Sequence, residues 1–369
     1  MKKISYVNLS AQSFDERIEA FKIFKKIFLS GNFILGDQVE KFEKRICDYL
    51  KINDCVALNS GTDALTLGLH LLGVKKGDEV ITPPNSFIAS TASIAHLGAI
   101  PVFADIKNDL NIDPLEIEKK ITKKTKAIMP VHLSGHPCEM DKIMKISKKY
   151  KIPVIEDAAQ AIGTKYKNKF VGTFGDIGCF SAHPLKNLNA IGDSGYLITN
   201  NKKYANKIRL LRNHGIKNRN TISFFGYVSR MDSIQASILN LRFQKLHQVI
   251  KKRRNNAKLY FDNLKDLKNL ELPFEKKNEF NTYHTFVIKT KNRNKLKKFL
   301  EDKGIHTAIH YPYLIFEQKA FKDRYKYNYK NELKNSKKFK NLILTLPINQ
   351  YLKKKQIVNI CKNIIKFYK

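Results

Sequence analysis

The chain has 369 residues, 43% of them hydrophobic, enough for about two domains with ordinary cores. Its formal net charge is +35, yet 57 of the 68 basic residues are lysines spread along helix faces, so the charge predicts solvated surfaces and no nucleic-acid partner. Cys47, Cys55, Cys138, Cys179 and Cys361 form no CxxC pair and no even framework, which argues against a disulfide scaffold or thiolate metal site and for a reducing compartment.

The first 21 residues carry basic side chains with no apolar core behind them, unlike a secretory leader. Ser13 to Glu16 fits a capping box opening a helix that runs to about Leu29, and Asp37 caps a second through Phe42, Ile46 and Leu50. Apolar runs at Cys55 to Leu58, Glu79 to Thr82, Pro101 to Ala104, Ala127 to Val131 and Pro153 to Glu156 then alternate with helical stretches near 62–73, 87–98, 114–121 and 139–150. Such alternation predicts crossover units and a mainly parallel sheet with helices on both faces. The most apolar stretch, Phe87 to Ala104, is broken by His96, Gly98 and Pro101 and reads as helix then strand. No membrane span and a cytoplasmic location are expected.

Ile177 to Ser181 and Tyr196 to Thr199 continue the sheet, and a long helical region is expected over Met231 to Leu264, with Lys251 to Arg254 on a solvated face. A strand at His284 to Lys289, a helix at Arg293 to Lys303 and a final helix after Leu352 suggest a second α+β unit. Lys319 to Lys340 reads as a Lys/Tyr/Asn-rich surface. The expected division is a large domain over 1–250, including the N-terminal helical segment, and a smaller one over 251–369.

Four segments could carry chemistry. In Asn59-Ser-Gly-Thr-Asp-Ala64 a strand passes into an apolar helix, where free backbone N–H groups and the helix dipole can hold a phosphate, although SGT alone also fits a plain cap. Phe87, beyond the next strand end, can lie over an aromatic ring or pack in a core. Asp157 ends a buried strand at the edge where open α/β sheets bind ligands; a helix cap is the alternative when the segment is taken alone. Lys186 follows Ser181, His183 and Pro184 in a tight turn after an apolar strand, a setting in which a partly desolvated amine can lose its proton and attack an aldehyde.

NSGTDAL (59–65), GDEVITPPNSFIAS (77–90), IEDAAQAIGTKY (155–166), GTFGDIGCFSAHPLKNL (172–188), LRNHG (211–215), GYVSRMDSIQASIL (226–239) and HYP (310–312) together span nearly the whole chain. In these motifs the sequence resembles the nucleotide-sugar aminotransferases, pyridoxal-phosphate (PLP) enzymes of fold type I. The resemblance implies a large, mostly parallel sheet flanked by helices plus a smaller C-terminal α+β domain. It implies transfer of an amino group from L-glutamate to the 3- or 4-keto group of a nucleotide-linked sugar, for amino-sugar and polysaccharide biosynthesis, in a homodimer with shared active sites.

Position by position, the resemblance implies that Lys186 holds PLP as a Schiff base and then shuttles the α-proton. Asp157 would pair with the ring nitrogen and keep it protonated. Gln160 would face the ring hydroxyl, Gly61, Thr62 and Ser181 the phosphate, and Phe87 the ring face. His183 is a catalytic candidate or a packed histidine. Arg230, His310 and Tyr311 fall where this family approaches the sugar nucleotide or the partner subunit. No metal is expected. Two departures stand out: relatives often have Asn where this chain has Val228, and Gly-Glu-Gly-Gly where it has Gly192-Asp-Ser-Gly195. The alternatives are a PLP-dependent sugar dehydratase, disfavoured because it resembles cases with histidine in place of Lys186, and a basic nucleic-acid-binding or regulatory protein.

Overall fold

The computed structural model describes residues 3–327, 329 and 332–369. The alternating segments form strands β1 (Asp54–Leu58), β2 (Glu79–Thr82), β3 (Ile100–Phe103), β4 (Thr125–Ile128), β5 (Ile155–Asp157), β6 (Ile177–Ser181) and β7 (Gly195–Thr199). β2 pairs in parallel with β3 and β4, and β5 with β6. Parallel bridges Ile128–Val154 and Val131–Asp157 join the two halves, giving the lateral order β3-β2-β4-β5-β6-β7-β1. β7 runs antiparallel to both neighbours, so the sheet is mostly parallel.

β1 and β7 are buried at every position, as strands covered on both faces must be. Their alternate residues feed two cores: Cys55, Ala57, Tyr196 and Ile198 pack with Phe42, Ile46 and Leu239, whereas Val56, Leu58 and Leu197 pack with Leu65, Leu69 and Ile208. That two-residue period fixes the register, since a slip of one residue would exchange the faces.

The helices are α1 (Leu9–Ser30), α2 (Asp37–Leu50), α3 (Gly61–Leu71), α4 (Ile88–His96), α5 (Pro114–Lys119), α6 (Met140–Tyr150), α7 (Lys202–Leu211), α8 (Ser233–Phe243) and α9 (Leu246–Leu264). Beyond them β8 (Phe286–Lys289) pairs antiparallel with β9 (Ile343–Leu346) beneath α10 (Arg293–Asp302) and α11 (Lys354–Tyr368). Tyr260, Phe286, Leu296, Leu344 and Ile360 form their core, and Ile4 joins it through a bridge to Ile305. No described helix is long and apolar enough to cross a membrane.

Several expectations are corrected. α1 starts at Leu9 with Asn8 as its cap, accepting from the Ala11 amide at 3.2 Å; Ser13 lies inside the helix, and Glu16 is buried against Arg242. Asp37 is the first residue of α2, after Gly36, and supplies no cap hydrogen bond. The region 231–264 breaks at Gln244 and Lys245, where the Lys245 amide turns back to Arg242 O at 3.0 Å. Within the basic run, Arg253 is buried and donates to Tyr283 O (3.2 Å) and His284 O (3.1 Å), while Arg254 pairs with Glu275; only Lys251 and Lys252 face solvent. Residues 328, 330 and 331 of the 319–340 stretch lie outside the described residues, but its Phe321, Tyr329 and Leu333 are buried around Phe103, so an aromatic cluster underlies that lysine-rich surface.

Candidate active site

The carboxyl ends of the parallel strands open into a cleft of about 440 Å³, a size that takes a small-molecule ligand. β5 brings Asp157 to its floor, and the turn after β6 brings Lys186 from the other side. Asp157 is 4% exposed; its carboxylate accepts from Ser90 Oγ at 2.8 Å and the Ala159 amide at 3.1 Å. Burial raises its pKa, opposed first by the Ser90 hydrogen bond, then by the Ala159 amide and the positive charge of Lys186. Burial acts oppositely on Lys186, lowering its pKa to about 8 against the attraction of Asp157. A lysine tuned this way carries a useful fraction of neutral, nucleophilic amine near neutral pH.

The turn bearing Lys186 is closed on itself: the Lys186 amide donates to His183 O at 2.8 Å, and the Ala190 amide to Ala182 O at 2.7 Å. At the far end of the cleft α3 begins. Ser60 caps it by accepting from the Asp63 amide at 3.0 Å, leaving the first N–H groups and the positive helix end facing the cleft at Gly61 and Thr62. Gly61 is required by proximity, because a Cβ there would lie 2.7 Å from Ser181 Cβ. Gly195 is equally confined, its would-be Cβ 2.4 Å from the Gly61 nitrogen.

Gln160 accepts from the Ser134 amide at 2.7 Å and donates to the Tyr311 hydroxyl at 3.4 Å. Phe87, 55% exposed, stands at the mouth with its ring centroid 5.9 Å from that of Tyr311. Burial pushes the Tyr311 phenol up to about 12, so it is a neutral donor and acceptor. His310 hydrogen-bonds Thr345 Oγ1 through Nδ1 at 3.0 Å, and burial, then the charge of Lys186, lowers its pKa to about 4.

Ten of the eleven expected site residues therefore meet in one cleft: Gly61, Thr62, Phe87, Asp157, Gln160, Ser181, His183, Lys186, His310 and Tyr311 line it directly, with Asp157 and Lys186 doubling as cofactor and catalytic candidates. Arg230 does not line it; its guanidinium donates to Asn213 Oδ1 at 3.2 Å, beside Val228, which is 60% exposed. His183 is solvent-exposed on the cleft rim, its Nδ1 accepting from the Leu185 amide at 3.3 Å; it is not a packed core histidine.

Ser90 and His284 are among the lining residues that had no role assigned from the sequence. Ser90 sits within the first turn of α4, three residues past Phe87, and that spacing is the one linear signal that it faces the cleft. His284 opens the segment before β8; burial and then Lys186 hold its pKa well down, and among the described residues its Nδ1 has no hydrogen-bond partner. A buried carboxylate at one end, an anion-accepting helix start with no room for a side chain at the other, and a depressed amine between them fit PLP.

The sequence matches the DegT/DnrJ/EryC1/StrS aminotransferase family over residues 15–365. It is 37% identical over 370 residues to the pleiotropic regulatory protein of Geobacillus stearothermophilus, covering 99% of both chains. It is 33% identical over 359 residues to the dTDP-3-amino-3,4,6-trideoxy-alpha-D-glucose transaminase of Streptomyces venezuelae, covering 97% of this chain and 94% of that protein. The crystal structure of NtdA from Bacillus subtilis with bound cofactor PMP superposes with a TM-score of 0.91 at 32% identity, covering 99% of this chain and 86% of the other.

Proposed function

This chain belongs to the DegT/DnrJ/EryC1/StrS aminotransferase family, and from that premise we propose that it moves the amino group of L-glutamate onto the 3-keto carbon of a dTDP-linked deoxysugar. It is a PLP-dependent aminotransferase of nucleotide keto-sugars. The choice of position and nucleotide is supported by the Streptomyces relative named for a dTDP-3-amino sugar. The single observation that carries the site assignment is the opposed pair Lys186 and Asp157, one amine whose pKa burial lowers to about 8 and one buried carboxylate whose raised pKa is opposed by Ser90, the Ala159 amide and Lys186.

PLP supplies an electron sink for the negative charge that develops at the amino-acid α-carbon. Lys186 would hold PLP through Nζ, and its amine is the group placed to take and return the proton of the amino-acid α-carbon. Asp157 would keep the ring nitrogen protonated, since a cation beside its buried carboxylate would offset the burial penalty. The N-terminus of α3 at Gly61 and Thr62, with Ser181, holds the phosphate. Gln160 would orient the ring, Phe87 would cover its face, and His183 would meet the substrate at the rim. His310 and Tyr311 meet the sugar as neutral hydrogen-bonding groups.

The protein works in the cytoplasm as a homodimer. That assembly is supported by α1, where Phe14, Ile18, Phe21 and Phe28 form an exposed apolar stripe at helical spacing, and by exposed Phe225 and Val228 beside Arg230, which would then reach the partner's cleft. The large unit spans 1–250 and the small one 251–369, supported by a separate apolar core running from Ala257 to Ile364 with Ile4 added. The test is mass spectrometry of the product formed from a dTDP-3-keto-6-deoxyhexose, PLP and L-glutamate. An amino-sugar with the wild type and none with Lys186→Ala supports the reading; a deoxy-keto-sugar, or turnover by the variant, overturns it.

A further inference from the structure

We infer that Gln12 and Glu16 of α1, acting through Asn189 and Arg242, are positioning residues for Lys186; this deepens the proposed function and rests on Lys186 as the cofactor lysine. α1 buries only Gln12, Glu16 and Ile27, so two of its three buried contacts are polar. Gln12 and Asn189 exchange side-chain hydrogen bonds, Gln12 Nε2 to Asn189 Oδ1 at 3.0 Å and Asn189 Nδ2 to Gln12 Oε1 at 3.1 Å. The same Asn189 Nδ2 donates to Pro184 O at 2.5 Å, and thus ties the two ends of the segment that carries Lys186. Arg242 donates through Nη1 to Asn189 O and Ala190 O, both at 2.8 Å, and through Nε to Glu16 Oε1 at 2.8 Å.

Each of these groups is at least nine-tenths buried, and buried polar groups are costly unless their partners are in place. Here the partners converge on one nine-residue turn, from Ala182 to Ala190, whose own backbone bonds are Ala190 N to Ala182 O at its ends and Lys186 N to His183 O within it; Asn187 also donates to Thr282 O at 3.3 Å. Amide and guanidinium groups bond only in fixed directions, so the network holds the turn at one height and angle, where apolar packing would let it slide. Through this network the helix sets how far Lys186 Nζ reaches into the cleft, as outer residues do for a reactive group.

The experiment uses the full-length protein freed of PLP. Gln12→Leu keeps the bulk and removes the amide. The rate of covalent PLP capture at Lys186, read by borohydride trapping and peptide mass spectrometry, is expected to fall roughly tenfold, and kcat with it, since small displacements of a reacting group are expensive. KM for the sugar nucleotide stays within about twofold, and amide exchange quickens at residues 185–188 while the β5 and β6 amides stay protected. Glu16→Gln, which keeps an acceptor for Arg242, shifts the same quantities in the same direction and serves if Gln12→Leu does not fold. Capture, kcat and loop exchange all unchanged in a folded variant would overturn the inference. Wild-type protein that captures no PLP at Lys186 would instead overturn the cofactor reading beneath it.

Discussion

Lys186 and Asp157 are opposed by the same burial: it discourages charge on both, and each partly restores charge to the other. Capture of PLP needs the neutral amine, so the capture rate of PLP-free protein should rise with pH through a midpoint near 8, the value to which Lys186 is lowered, and not near the ordinary lysine value. Because the Asp157 charge is what raises Lys186, Asp157→Asn should move that midpoint lower still. A stopped-flow pH profile checks both signs, and an upward movement in the variant would contradict the electrostatics. These two residues were legible in the sequence because their neighbourhoods are local: a strand ending in Asp157, and a Pro184 turn holding Lys186. Ser90 and His284 were not, since a serine early in a helix and a histidine before a strand acquire meaning only when β5 and the C-terminal unit are brought against them.

At the scale of the element, α3 makes its site by what it lacks. Gly61 leaves its helix start bare, and Gly61→Ala would put a methyl 2.7 Å from Ser181 Cβ. Ser181 is fixed as the last residue of β6, so the variant should lose about 1–3 kcal/mol of stability and lose more affinity for PLP than for pyridoxal, which lacks the phosphate. Thermal melts with PLP and pyridoxal titrations measure this; equal losses for both ligands would argue against a phosphate at the helix end. The strands and helices of the large unit were readable because continuous apolar runs flanked by glycine mark strands covered on both faces. The start of α1 was misread because Asn8 and Ser13 are both good caps, and the contact that decides between them, Glu16 with Arg242, joins residues 226 apart in sequence. β9 was missed for a like reason, its short apolar run Ile343–Leu346 becoming a strand only against β8. The buried Arg253 shows the same limit within a run of four basic residues.

For the whole molecule, the two faces of α1 have separate tasks: the inner one grips the turn of Lys186, and the outer one carries Phe14, Ile18, Phe21 and Phe28, each more than half exposed. If that outer face joins two copies, Phe21→Glu should yield a monomer by light scattering, whose activity falls because Arg230 no longer reaches a second cleft. A monomer with full activity would refute the shared site. The net charge of +35 was available from the sequence, but the exposed aromatic stripe was not, since apolar residues at helical spacing look the same whether they face a core or a partner. The central claim, that this cleft binds PLP at Lys186 and exchanges an amino group there, is tested most directly by the ultraviolet-visible spectrum of the purified protein with PLP, before and after L-glutamate. The account predicts a visible band from lysine-bound cofactor that gives way to pyridoxamine absorption on adding glutamate; absence of the band, or its persistence unchanged with glutamate, would contradict the cofactor site or the donor respectively.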